Sequence, residues 1–136
     1  MADIISDDGL IYKLQALVNA FNTNGLVIHL YQNNYAPALG MLLSDFTECT
    51  FDGYATNIMP VWSTPTVASH VATSTAAPVV FSNHDGSVPN TVYGYYVTNG
   101  AGTVLYWAGR YTSAPFNMNT AGQTFTVTLS MTDQNT

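Results

Sequence analysis

The residues best equipped for chemistry converge on one stretch, Asp45 to Ala55, which reads DFTECTFDGYA. It holds the only Glu and the only Cys of the chain, Glu48 and Cys49, together with Asp45 and Asp52. Paired carboxylates could serve as general acid and base across a glycosidic bond, or share a cation. A cysteine beside a base could be a nucleophile. Each reading lacks a part. The candidate bases His29, His70 and His84 lie on different segments, and no local signature surrounds Cys49. The D-x-D-x-D-G loop of a calcium site is absent, as are a G-x-S-x-G elbow, a Gly-rich phosphate loop and a dinucleotide fingerprint. The sequence therefore predicts no catalytic residue, no metal and no cofactor.

Structural duties account for the same residues. Asp45 and Thr47 are expected to fix a turn, since Asp side chains bond readily to nearby backbone N–H groups. Phe46 and Phe51 should anchor the stretch in a core. Gly53 would allow a bend, and Tyr54 would start the next strand. Glu48 or Asp52 is expected to pair with Arg110, and Cys49 to behave as a small buried hydrophobe. On this reading Glu48 and Cys49 are bystanders. His29 alternates inside an apolar strand and reads as a satisfied sheet histidine.

The composition narrows the function classes. Charged residues are 7% of the chain, and two basic residues, Lys13 and Arg110, face eight acids for a net charge of -6. A nucleic-acid binder needs several cations to neutralise phosphates, so direct nucleic-acid binding is excluded. Attraction to anionic lipid fails for the same reason, and no apolar run approaches the length of a membrane span. The start, MADIISDDGL, is acidic and lacks the basic and apolar regions of a secretory signal, so a protein made and kept in a cytoplasm is expected, unless it leaves by assembly or lysis. Thr, Asn, Ser, Gly and Tyr replace the missing charge. Such a surface suits a protein interface, where charge is depleted and Tyr enriched.

The elements that must position these residues begin with one helix. Ser6 is a candidate N-cap, Asp7 and Asp8 favour the first turn, and an apolar stripe of Leu10, Leu14, Leu17 and Phe21, widened by Ile11 and Val18, predicts a helix over about 7–21. Asn22 to Gly25 stops it. The period then shortens, and LVIHLYQ (26–32) reads as a buried strand. Residues 38–44 read as a helical turn or loop, and 52–62 as a strand ending near Pro60. The run from Ser63 to Ala77 is weakly patterned and is expected to be irregular or an edge strand. Strands are predicted at 78–82, 91–98, 103–111 and 124–131, with turns at Asn83 to Gly86 and Asn99 to Gly102. The alternation of Phe125, Val127, Leu129 and Met131 with Thr and Ser gives one buried and one wet face. The expected fold is a single domain over 1–136, mainly β, an antiparallel β-sandwich or barrel-like sheet with one N-terminal α-helix.

The order of these motifs resembles that of small virion proteins of tailed bacteriophages. In those proteins an apolar strand leads into L-Y/F-x-N-N/D-x-x-P, a short spacer and D-F-T-E-x-x-F-x-G-Y. Then come a Trp, a V-x-F strand, G-Y-Y-V-T and V-L-x-x-x-R-Y. This chain has LVIHLYQNNYAP, DFTECTFDGYA, Trp62, Val79 to Phe81, Gly94 to Thr98 with Tyr96, and Val104 to Tyr111 with Trp107 and Arg110. The resemblance implies a non-enzymatic structural protein located in the virion. Capsid decoration (a cement protein on the head shell) is the leading expectation, with a tail- or fibre-associated protein as the alternative. Its partners would be the major capsid protein or other virion proteins, with self-association as a dimer or trimer, and neither nucleic acid nor membrane. A carbohydrate-binding β-sandwich is the rival from another class. It rests on the aromatic residues of YGYY (93–96) and LYW (105–107), for which cross-strand packing is the plainer explanation.

Overall fold

A computed structural model describes residues 3–58 and 61–135. The chain is mainly β, with one N-terminal helix and antiparallel sheets, as its patterning predicts. In chain order the elements are α1 (Asp7–Asn24), β1 (Leu26–Tyr31), a 3-10 turn (Leu43–Asp45), β2 (Asn57–Ile58), β3 (Thr66–Ala68) and β4 (Val71–Thr75). They continue with β5 (Val79–Ser82), β6 (Asn90–Val92), β7 (Gly94–Asn99), β8 (Leu105–Arg110), β9 (Phe116–Met118), β10 (Thr124–Val127) and β11 (Ser130–Gln134). No helix among the described residues is long and apolar enough to cross a membrane. The strand end expected near Pro60 lies outside the described residues.

The chain forms two compact units. One comprises Met1–Gly25, Pro60–Pro78 and Thr128–Thr136; the other comprises Leu26–Met59 and Val79–Val127.

In the first unit α1 lies on a three-stranded sheet of order β11-β4-β3. Ser6 caps the helix by accepting from the Gly9 N–H at 3.2 Å, and Asp7 and Asp8 occupy the first turn. The helix runs past Phe21 to Asn24, because the residue that stops it is Gly25, with φ 71. Leu10, Leu14 and Val18 form the buried stripe, and Leu10 and Leu14 pack with Ala72 and Met131. Leu17, placed on the apolar face by its spacing, is exposed instead. Lys13 pairs with Asp133 at 2.9 Å, and His70 with Asp7 at 2.9 Å. The run from Ser63 to Ala77, expected to be irregular or an edge strand, holds the hairpin β3–β4: β3 is indeed an edge strand, whereas β4 is the central strand of its sheet. Its tight turn places Ser69 at φ 50 and His70 at φ 62, both in the left-handed region that a type I′ hairpin requires. The helix covers the side of Ala72 and Met131. Across the opposite side Thr66, Thr73 and Thr132 stand in register on three strands, flanked by exposed Ala68, Thr75, Ser130 and Gln134. That face carries no charge.

In the second unit the main sheet has the order β2-β1-β7-β8, and two-stranded sheets β10-β5 and β6-β9 accompany it. Strand β1 is interior: His29 pairs with Tyr96, and Tyr31 with Gly94. The strand expected over 91–98 is broken in two. Residues 90–92 pair with β9, whereas 94–99 pair with β1 and β8. Tyr93 is the switch point, its N–H donating to Tyr31 O at 3.0 Å while its carbonyl accepts from the Tyr111 N–H at 2.9 Å. Residues 124–131 are likewise divided, between β10 and β11, although Phe125, Val127 and Leu129 stay buried and Thr126, Thr128 and Ser130 exposed straight through the break. Tyr31, Phe46 and Tyr96 make the core on one face of the main sheet. Leu26, Ile28, Leu30 and Val97 are buried on the other.

Candidate functional site

The stretch DFTECTFDGYA lines the side of β1 beyond Ile28, where the short β2 no longer pairs with it. The Cys49 N–H donates to Leu30 O at 2.9 Å, the Gln32 N–H donates to Thr47 O at 2.8 Å, and Tyr31 bridges to Glu48. Between that bridge and β2 the backbone N–H of Leu30 has no strand partner. The Tyr54 hydroxyl fills the gap, accepting from the Leu30 N–H at 3.1 Å and donating to Glu48 Oε1 at 2.8 Å. Tyr54 therefore closes a sheet edge through its side chain, rather than starting the next strand, which waits until Asn57.

Glu48 links this edge to the sheet interior. The same Oε1 accepts from His29 Nδ1 at 2.8 Å, and His29 Nε2 meets Thr98 Oγ1 at 2.9 Å. The imidazole lies flat on the Tyr96 ring, 4.5 Å between centroids, and Tyr96 stacks in turn on Phe46 at 4.8 Å. Glu48 is thus the hub of a polar network and not a bystander. The sequence also misdirects its partner. Arg110 bonds to Tyr35 O and Asn34 Oδ1, each at 2.8 Å, and lies over the Tyr93 ring, so neither Glu48 nor Asp52 pairs with it. A period-two reading places His29 on the strand, but its acid partner comes from a loop, and strand patterning carries no information about that.

Thr98, His29 and Glu48 have the connectivity of a nucleophile, a base and an orienting acid. Access decides against that use. The Glu48 side chain keeps 40% of its surface in solvent and His29 keeps 11%, but Thr98 is fully buried. Its hydroxyl also lies 2.9 Å from Asn99 O. The would-be nucleophile is the closed end of the chain, where no substrate atom reaches it. Cys49 is equally sealed. Burial, reinforced by the Glu48 carboxylate, pushes its thiol up to about 12, so the reactive thiolate is absent near neutral pH. Burial also holds the Tyr54 hydroxyl far above the usual tyrosine range, with Glu48 adding to the effect. Tyr54 remains a donor.

The other singled-out residues serve neighbouring contacts. The Asp45 carboxylate accepts from the Leu42 N–H at 2.8 Å and the Tyr35 hydroxyl at 3.3 Å. Asn33 clamps the same turn, donating to Asp45 O at 2.7 Å and accepting from the Thr47 N–H at 2.8 Å. Thr47 acts through its backbone, and its side chain is exposed. Phe51 is buried against Tyr54. Gly53 has φ 82, and a Cβ there would sit 2.5 Å from the His84 ring. The Thr50 N–H donates to Asn90 Oδ1. Trp62, in the first unit, bridges to Ala76 beside Phe21, with its buried indole N–H unpartnered. In β8 Trp107 is half-buried, and the Tyr95 ring lies over Gly109. Among the described residues no three His, Cys, Asp or Glu side chains converge as a metal centre would need. Comparison with family models, characterised proteins and solved structures gives no match.

Proposed function

We propose that this chain is a non-enzymatic structural component of a tailed-phage particle, a decoration protein that binds and stabilises the head shell. The observation that carries the reading is the fate of DFTECTFDGYA. The residues on which the resemblance to small virion proteins rests build the joint beside β1, and the groups able to do chemistry there, His29, Glu48, Tyr54 and Thr98, bond to one another. The charge-free threonine face of β3, β4 and β11 adds support, since contact surfaces favour uncharged residues at their centre. A bound copy favours the assembled shell by mass action, without any chemical step.

Mass spectrometry of purified particles from the source tests this. The chain is expected in the head, in copies on the scale of the shell subunits. A handful of copies confined to the tail would move it to a tail component, and its absence from particles would sink the proposal.

A further inference from the structure

The connection from β1 to the 3-10 turn, NNYAPALGMLLS (33–44), carries no charge. Its apex is the turn Ala38 to Met41, closed by the Met41 N–H donating to Ala38 O at 3.2 Å, with Gly40 at φ 81 in the third position. Leu39 at the apex is fully exposed, at 105% of its reference surface, and Leu42 is exposed at 63%. Two leucines held out in water are an unfavourable arrangement for a loop that serves only as a connection.

The loop is nevertheless held firmly. Arg110, the only arginine of the chain, donates to Tyr35 O and Asn34 Oδ1. The Tyr31 hydroxyl donates to the same Tyr35 carbonyl at 3.1 Å. Asp45 holds the Leu42 N–H, while Met41, Leu43 and Tyr35 pack beneath on Tyr31, Phe46 and Tyr96. The underside is bonded and buried, and the two leucines are kept clear of it. A loop ordered in advance loses little freedom on docking.

We infer that Leu39 and Leu42 form a preformed apolar plug that inserts into an uncharged pocket on the shell of the particle. This rests on the proposed shell-binding role. Charge selects the pocket's character: Arg110 and Asp45 are both engaged within the loop base, so a charged pocket rim would find no counterion at the tip. Area selects the partner. Two leucine side chains offer on the order of 200 Å², whereas a stable dimer needs about 800 Å² from each copy. Two tips meeting would fall well short. By itself the tip cannot hold two copies together; it serves as an anchor within the wider contact that the proposed shell binding supplies.

The test is co-sedimentation with heads purified from a source strain deleted for this gene, using the full chain and the variants Leu39→Ser, Leu42→Ser and the double substitution. Wild-type chain is expected to bind, and the double variant to bind about a hundredfold more weakly with unchanged thermal unfolding. Arg110→Gln should weaken binding less, by loosening the loop. Equal binding of wild type and double variant overturns the plug while leaving the shell-binding role standing. Failure of the wild type to bind overturns both. Concentration-dependent self-association, or binding to phosphatidylcholine vesicles, that the double variant abolishes would overturn it in favour of a second copy or a lipid surface.

Discussion

Cys49 illustrates how burial alone disarms a reactive side chain. With its thiol pushed up to about 12, it should react with a disulfide reagent at neutral pH only as fast as the protein opens, and at once in denaturant. Rapid labelling of the folded chain would contradict that placement. Tyr54 shows the reverse case, a side chain whose polar atom is indispensable. Tyr54→Phe keeps the ring against Phe51 but leaves the buried Leu30 N–H unmet, and should cost about 2 kcal/mol in urea unfolding. A loss below about 0.5 kcal/mol would mean that water replaces the hydroxyl. At this scale the sequence is readable for backbone-local duties and poor for partners. An aspartate that bonds three residues back follows from residue type, as Asp45 does. The bond from Glu48 to His29 depends on which loop returns to which strand. So does the seating of Arg110 on Tyr35 O and Asn34 Oδ1 in place of an acid.

Elements follow their periodicity until a strand changes sheet. Burial alternates without interruption from Thr124 to Ser130, so no pattern marks the break between β10 and β11. Tyr93 divides β6 from β7 inside a run of β-branched and aromatic residues that reads as one strand. The hairpin β3–β4 escapes for a different reason: its left-handed turn is made by Ser69 and His70, without the Asn or Gly that usually announces one. Where strands meet closely, the sequence does leave a mark. Gly94 stands opposite Arg110 and beside Gly109, and a Cβ on it would lie 2.1 Å from Gly109 O and 2.7 Å from the Tyr31 hydroxyl oxygen. Gly94→Ala must therefore push β7 and β8 apart, at a cost of about 3 kcal/mol. Chemical denaturation measures it, and an unchanged midpoint would show that the strands separate freely.

Across the whole molecule, tyrosine takes over part of the role that charge plays elsewhere. Burial raises Tyr31, Tyr54, Tyr95 and Tyr96 above their ordinary value of 10.0, Tyr96 to about 12. The unfolded chain therefore releases these protons first. Stability from this source is complete below pH 10.0 and falls as pH rises from there towards 12. Unfolding midpoints measured over that range, beside tyrosinate absorbance, should show the buried rings ionising only as the fold is lost. Early ionisation of all the rings with an unchanged midpoint would contradict it. The division into two units has a consequence of another kind. The chain passes from one unit to the other at 25/26, 59/60, 78/79 and 127/128, so neither unit is a continuous stretch of sequence. No single proteolytic cut can release either one whole. During synthesis β4 must wait for β11, and β1 for β7, before their ladders can close. Such distant pairings fold slowly. Until they close, β1 and β4 are exposed strands, and chaperone capacity is then as relevant to the yield of folded protein as its final stability.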